Sequence, residues 1–127
     1  MWLFTKYGFY SAVCARTGDG SYGMPIDHDR IMLRARLRPH LEALCNRFPD
    51  LLGGCEIHES DSSDYRFRVF MDKPVWSQMA AALAQEIDYG NFKDEAKAHQ
   101  GHAGESYVDA LHEVWSVMYE LQRSEEL

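Results

Sequence analysis

Cationic residues are scarce in this sequence: 13 Lys and Arg stand against 20 Asp and Glu, so the formal net charge is −7. Non-specific nucleic-acid binding depends on neutralising many phosphates, and this balance therefore argues against it as the main function. Net charge and charge distribution are separate properties, so a local basic patch is still permitted.

Long hydrophobic runs are also missing. The apolar N-terminal stretch, residues 1–16, is interrupted by Lys6, and no basic segment precedes it. A secretory leader needs a basic start and a continuous apolar segment, and a membrane-spanning helix needs about 20 apolar residues. Cys14, Cys45 and Cys55 are odd in number and lie within apolar runs, which predicts reduced core thiols. We therefore expect a soluble, cytoplasmic protein with no membrane partner.

Motifs of metal and catalytic sites do not occur. Neither C-x-x-C nor H-E-x-x-H is present, and one H-x-x-H pair, His99 and His102, is too little for a zinc site. Ser11 lies outside any G-x-S-x-G motif, and the glycines of residues 18–23 lead into Met24-Pro25 rather than into a helix. We expect no metal and no cofactor, and no catalytic residue can be assigned.

What is present predicts one domain over residues 1–127, with 46% hydrophobic residues to build its core. Two glycine-bearing polar segments, near 17–29 and 90–105, predict mobile loops. Between them, extended and helical patterns follow the order β-β-α-β-β-α-α. This order predicts an α+β fold: an antiparallel sheet of about four strands with helices packed on one face, or a ferredoxin-like variant.

Arginines alternate with apolar residues in two predicted strands, IMLRARL (31–37) and DYRFRVFM (64–71). Alternate residues of a strand face opposite sides of the sheet, so the arginines share the outer face. Tyr65, in the same alternation, is expected on the inner side. The predicted outer face carries Tyr10, Arg16, Arg34, Arg36, His58, Arg66, Arg68 and Phe70.

Several interpretations of this face are open. Guanidinium groups suit phosphate or carboxylate, and arginines interleaved with aromatic residues are typical of single-stranded nucleic-acid binding. A solvated face is the plainer alternative, with ion pairs from Glu56 or Glu59. The acidic C-terminal helix, or a second copy of the chain in a homodimer, could instead cover the face.

A second cluster, Asp88, Asn91 and Lys93, follows a predicted helix end in IDYGNFKD (87–94). These side chains could orient a polar ligand in a pocket between the sheet and the 88–105 loop. The alternative is that they only fix the loop, because Asp and Asn commonly bond local backbone.

Several segments together resemble a family of small bacterial proteins of unknown function. The shared patterns are a W-x-F-T-x-x-G-F-x-S start, an arginine-rich strand, I-D-Y-x-N-F-K and a terminal helix with Trp and Tyr. The family has no assigned activity, so the resemblance implies a compact domain and nothing more.

The function predicted from these observations is a non-enzymatic binding or adaptor module. It would engage a protein or an anionic ligand through the arginine-bearing sheet face. One alternative is a small-molecule-binding protein or enzyme with a pocket beside the 88–105 loop. The other is a single-stranded nucleic-acid binder, which the net charge disfavours.

Overall fold

The computed structural model describes residues 1–126. Its contacts divide the chain into two compact units: a sheet unit, Met1–Asp88, and a helical unit that begins at Tyr89. That the two form one domain stays a prediction.

The sheet unit is built on a five-stranded, entirely antiparallel sheet, which confirms the predicted α+β class. The N-terminal stretch, for which the sequence allows either two extended pieces divided near Gly8 or one bulged strand, forms two strands joined by a turn at Lys6 and Tyr7. No helix separates the first three strands, so the element order is not the ferredoxin-like one. The strands are β1 (Trp2–Thr5), β2 (Gly8–Arg16), β3 (Ile26–Ala35), β4 (His58–Glu59) and β5 (Phe67–Asp72), in the spatial order β1-β2-β3-β5-β4.

Helices α1 (Arg38–Arg47) and α3 (Lys73–Gln85) pack on the inner face of this sheet, and a short α2 (Pro49–Leu52) follows α1. Each of the three helices has a proline in its first turn, where the missing N–H has no intrahelical partner to lose. The apolar sides of α1 and α3 meet the alternate apolar residues of the strands. The shared core includes Leu33, Leu41, Leu44, Val69, Trp76 and Met79.

The β1–β2 hairpin is held against α1 through His40. This imidazole lies directly against Gly8, and its Nδ1 accepts a hydrogen bond from the Phe9 N–H at 3.3 Å. Burial lowers the pKa of His40, which keeps the ring neutral and able to accept that bond. The hairpin and α1 therefore form one rigid corner of the sheet unit.

The prediction of reduced thiols is wrong for two of the three cysteines. Cys45 in α1 and Cys55 form a disulfide, with Cα atoms 5.9 Å apart and a sequence separation of 10. Helix α2 and the Gly53-Gly54 turn return the chain to the side of α1, a proximity that an odd cysteine count does not suggest. Cys14 is the free cysteine. The cytoplasmic location stays a prediction.

The helical unit contains α4 (Phe92–Gln100), a 3-10 turn (His102–Gly104) and α5 (Glu105–Glu125). Residues 92–100 are thus helical where a mobile loop was predicted. Asn91 explains the helix start, because its side chain accepts a hydrogen bond from the Asp94 N–H at 3.0 Å and caps α4. The other predicted loop is shortened to residues 17–25, because β3 begins at Ile26.

None of the helices in residues 1–126 combines the length and the apolar character needed to cross a membrane.

Candidate anion-binding site

A row of polar side chains crosses the outer face of the sheet. Arg34 on β3 lies opposite Ser11 on β2 and opposite Arg68 on β5, and Arg68 in turn lies opposite His58 on β4. Directly opposed residues of antiparallel strands project to the same face with Cβ atoms about 5 Å apart. The predicted placement of Arg34, Arg68 and His58 on one face is therefore confirmed.

Arg34 and Arg68 are half-buried and have few partners. Arg34 donates from Nη2 to Ser11 Oγ at 2.8 Å, and Arg68 donates from Nη2 to the Tyr65 carbonyl at 2.9 Å. A further Arg68 contact, from Nη1 to Met32 Sδ at 3.5 Å, uses a weak acceptor. The Nε atoms of both arginines are buried without a hydrogen-bond partner among the described residues. Such orphaned donors are rare in folded proteins and call for an explanation.

No carboxylate within residues 1–126 forms an ion pair with either of these two arginines. Burial, and after it the charge of Arg34, lowers the pKa of the Arg68 guanidinium. Arg34 and Arg68 lie at the centre of the outer face, and we call them the inner arginines. They place unneutralised positive charge on this face, in a chain whose net charge is negative.

The two outer arginines, Arg36 and Arg66, differ from the inner pair, because both are exposed and both form ion pairs with carboxylates. Arg36 Nη1 lies 3.3 Å from Asp64 Oδ1. Arg66 contacts Glu59 at 2.8 Å and Asp61 at 3.1 Å, so of the two candidates, Glu56 and Glu59, it is Glu59 that pairs with one of these arginines. The local carboxylates therefore neutralise the rim of the face and leave its centre cationic.

Tyr65 lies on the outer face and not on the inner side where alternation places it. Its ring is 4% exposed, with the guanidinium carbon of Arg34 4.5 Å and that of Arg36 4.3 Å from its centroid. Tyr65 precedes β5, which begins at Phe67, so the strict alternation of the strand does not extend to it. Cation–π contacts of this kind hold the planes of both guanidinium groups in place.

The inner arginines line an open cleft of about 640 Å³, which we call the arginine cleft. The 17–25 loop borders one side with Tyr22, and the 63–65 turn borders the other with Tyr65. A volume in this range suits a small-molecule ligand. Its lining residues are Val13, Cys14, Arg16, Gly20, Tyr22, Ile26, Met32, Arg34, Ser63, Asp64, Tyr65 and Arg68.

Tyr10 was predicted on the outer face, and this placement is wrong. Its ring is fully buried on the helix side of the sheet, where its hydroxyl donates to the His40 carbonyl at 2.6 Å. Ser11, the next residue, lies opposite Arg34 on the outer face, so alternation along β2 places Tyr10 on the inner face. Tyr10 therefore has a structural role.

We expect Tyr10→Phe to lower the free energy of unfolding by about 1 kcal/mol, because it removes one buried hydrogen bond. Anion binding should be unchanged, since the ring lies on the other face from the arginine cleft. Urea unfolding of the variant measures the first effect and a ligand titration the second. If the variant bound the anion more weakly and its free energy of unfolding were unchanged, Tyr10 would have to lie on the face that binds the ligand.

The three residues of the second predicted cluster belong to two different compact units, and their joint role as a ligand site stays a prediction. Asp88 is exposed at the end of the sheet unit, whereas Asn91 is the N-cap of α4 in the helical unit. Lys93 contacts residues of α5: its Nζ lies 3.4 Å from His112 Nδ1 and 4.7 Å from the centroid of Trp115. Asn91 and Lys93 thus stabilise the helical unit itself.

Helix α5 also exposes several apolar side chains in its C-terminal half. They are Val114, Trp115, Val117, Met118, Tyr119 and Leu121, with exposed fractions between 38% and 66%. Apolar surface of this extent is typical of interaction sites. The predicted homodimer stays a prediction.

The two histidines of the H-x-x-H pair do not form a metal centre with other residues. In the described part of the chain no group of three or more His, Cys, Asp or Glu is arranged to hold a metal ion. His102 lies 3.6 Å from Glu105, at the start of α5.

Comparisons of the chain with models of known families, with curated proteins and with solved structures give no significant match. The resemblance to a bacterial family therefore stays a prediction, and the function has to be inferred from the arginine cleft.

Proposed function

We propose that the protein is a binding module for a small anionic ligand, which it holds in the arginine cleft. The proposal rests on which of the four arginines form ion pairs with carboxylates. The outer two have carboxylate partners, whereas the inner two, Arg34 and Arg68, have none among residues 1–126 and retain orphaned Nε atoms. A partly buried charge without a partner destabilises the folded protein, and a bound ligand of opposite charge offsets this effect.

The chemistry of the cleft supports binding rather than catalysis. Guanidinium groups do not give up their protons in proteins, so they can hold and orient an anion but are poor general acids or bases. Single-stranded nucleic acid is less well supported. One predicted stacking residue, Tyr10, is buried on the other face of the sheet, and the rim arginines are already neutralised.

Two double variants test the proposal while removing equal charge. Arg34→Gln with Arg68→Gln should abolish the rise in melting temperature that millimolar phosphate or benzoate produces at constant ionic strength. Arg36→Gln with Arg66→Gln should retain it, because these exposed side chains are engaged by carboxylates. A ligand that binds only the folded state raises the melting temperature with concentration, so several degrees are expected in the wild type.

An equal anion response in both double variants would place the binding elsewhere on the protein. No response in the wild type, to either anion, would overturn the proposal itself.

A further inference from the structure

The charge of the arginine cleft, given the proposed function, restricts the ligand to one chemical class. Arg34 and Arg68 from neighbouring strands face the same space, Arg16 also lines it, and no carboxylate of the described residues forms an ion pair with any of the three. A monocarboxylate ligand would balance one of these charges and leave two. A phosphomonoester carries about −1.5 to −2 near neutral pH and offers three acceptor oxygens, so it balances the charges of Arg34 and Arg68 together.

The geometry of the donors agrees with this class. Arg34 is fixed by Ser11 and by the ring of Tyr65, and Arg68 is fixed by the Tyr65 carbonyl. Both groups are therefore positioned before a ligand arrives, which limits the entropy lost on binding. Arginine forks held in this way suit the oxygens of a phosphoryl group.

The acidic rim excludes extended polyanions. Glu59, Asp61 and Asp64, all from the segment 59–64, engage the outer arginines. A nucleic-acid backbone crossing the face would bring successive phosphates close to these carboxylates, whereas a single phosphoryl group meets only the centre. Polyanion affinity grows with the number of phosphates neutralised, and the rim keeps that number low.

Part of the remaining cleft lining is apolar, and the cleft is wider than an inorganic anion needs. Val13, Met32 and Ile26 contribute aliphatic and thioether surface to its lining. Tyr22 is 89% exposed at the edge, with the guanidinium carbon of Arg16 5.1 Å from its ring centroid. An exposed aromatic ring beside an apolar wall favours a ligand with an apolar or aromatic body.

We propose that the arginine cleft binds a small phosphomonoester. Its phosphoryl group lies between the guanidinium groups of Arg34 and Arg68, and its aromatic or apolar body contacts Met32 and Tyr22.

Three compounds separate the parts of this proposal by calorimetric titration of the intact chain at pH 8. Phenyl phosphate is the full ligand, phenyl sulfate has the same shape with one charge fewer, and inorganic phosphate lacks the ring. Phenyl phosphate should bind at least about tenfold more tightly than either of the others, because each lacks one of two independent contributions. Tyr22→Ala should weaken phenyl phosphate binding and leave inorganic phosphate binding unchanged.

The outcomes distinguish this inference from the proposed function. Equal affinity for phenyl sulfate and phenyl phosphate would overturn the requirement for a dianion, and anion binding through Arg34 and Arg68 would still stand. Equal affinity for inorganic phosphate would overturn the apolar contact. Failure of all three compounds to bind would overturn both proposals together.

The rim is tested with a single-stranded oligonucleotide as the probe. The wild type should not bind it measurably, whereas the combination Glu59→Gln, Asp61→Asn and Asp64→Asn should, since it frees the outer arginines. An oligonucleotide that binds the wild type as tightly as phenyl phosphate does would overturn the restriction to small ligands.

Discussion

Gly8→Ala is expected to lower the free energy of unfolding by roughly 3–5 kcal/mol, because the added methyl group both strains the backbone and overpacks the core. Gly8 has a φ of +155°, a conformation that residues with a Cβ rarely adopt, and an added Cβ would overlap the side chain of His40. His40 cannot retreat, because its ring accepts the Phe9 N–H and its carbonyl accepts the Tyr10 hydroxyl. Urea unfolding of the variant measures the loss.

Gly90→Ala is the matched control for this prediction. Gly90 has no positive φ, and nothing lies within 4 Å of a Cβ built on it, so its stability should change by less than about 0.5 kcal/mol. The double variant Gly8→Ala with His40→Ala removes the overlap and retains the backbone strain. If Gly8→Ala alone changed stability no more than Gly90→Ala does, the rigid corner between the hairpin and α1 would not exist as described.

The position of the two inner arginines was predictable from sequence, because strand alternation is a local rule. IMLRA (31–35) and FRVFM (67–71) lie within single strands, and no irregularity interrupts their pairing. Each apolar residue that enters the core therefore sends its neighbour to the outer face. The register of Arg34 with Arg68 then follows from the pairing of β3 with β5.

The placement of Tyr10 and Tyr65 failed where that rule stops. A register shift between Cys14 and Ala15 separates Arg16 from Tyr10, and nothing in the residues GFYSAVCAR marks it. Tyr65 lies just before β5, where the chain is still turning. Both errors assign an aromatic side chain to the wrong face, because successive residues of a strand face opposite sides and a count from the wrong reference reverses the assignment.

The distribution of ion pairs could be predicted only in part. Sequence spacing suggested that Glu59 would pair with an arginine, and it pairs with Arg66. That Arg34 and Arg68 would lack carboxylates depends on the three-dimensional arrangement of the 60–65 turn, which brings Asp61 and Asp64 to the rim. The distinction between rim and centre, which carries the functional proposal, is therefore a property of the fold.

Arg68→Met is expected to change stability and ligand binding in opposite directions. The substitution removes an orphaned Nε and the repulsion from Arg34, and it loses one hydrogen bond to the Tyr65 carbonyl. Removal of an unsatisfied buried donor and of the repulsion from Arg34 together outweigh one charge-assisted hydrogen bond to a carbonyl, so the free energy of unfolding should rise by about 1 kcal/mol. Phenyl phosphate affinity should fall at least about a hundredfold, because a buried charge-assisted contact is lost.

Arg66→Met is the control, and neither quantity should change much, because that side chain is exposed and its ion pairs are screened. Thermal unfolding and calorimetric titration on the same samples measure both quantities. A lower stability for Arg68→Met would make Arg68 a structural residue, whereas a gain in stability with a loss of binding is the signature of a group kept for its ligand.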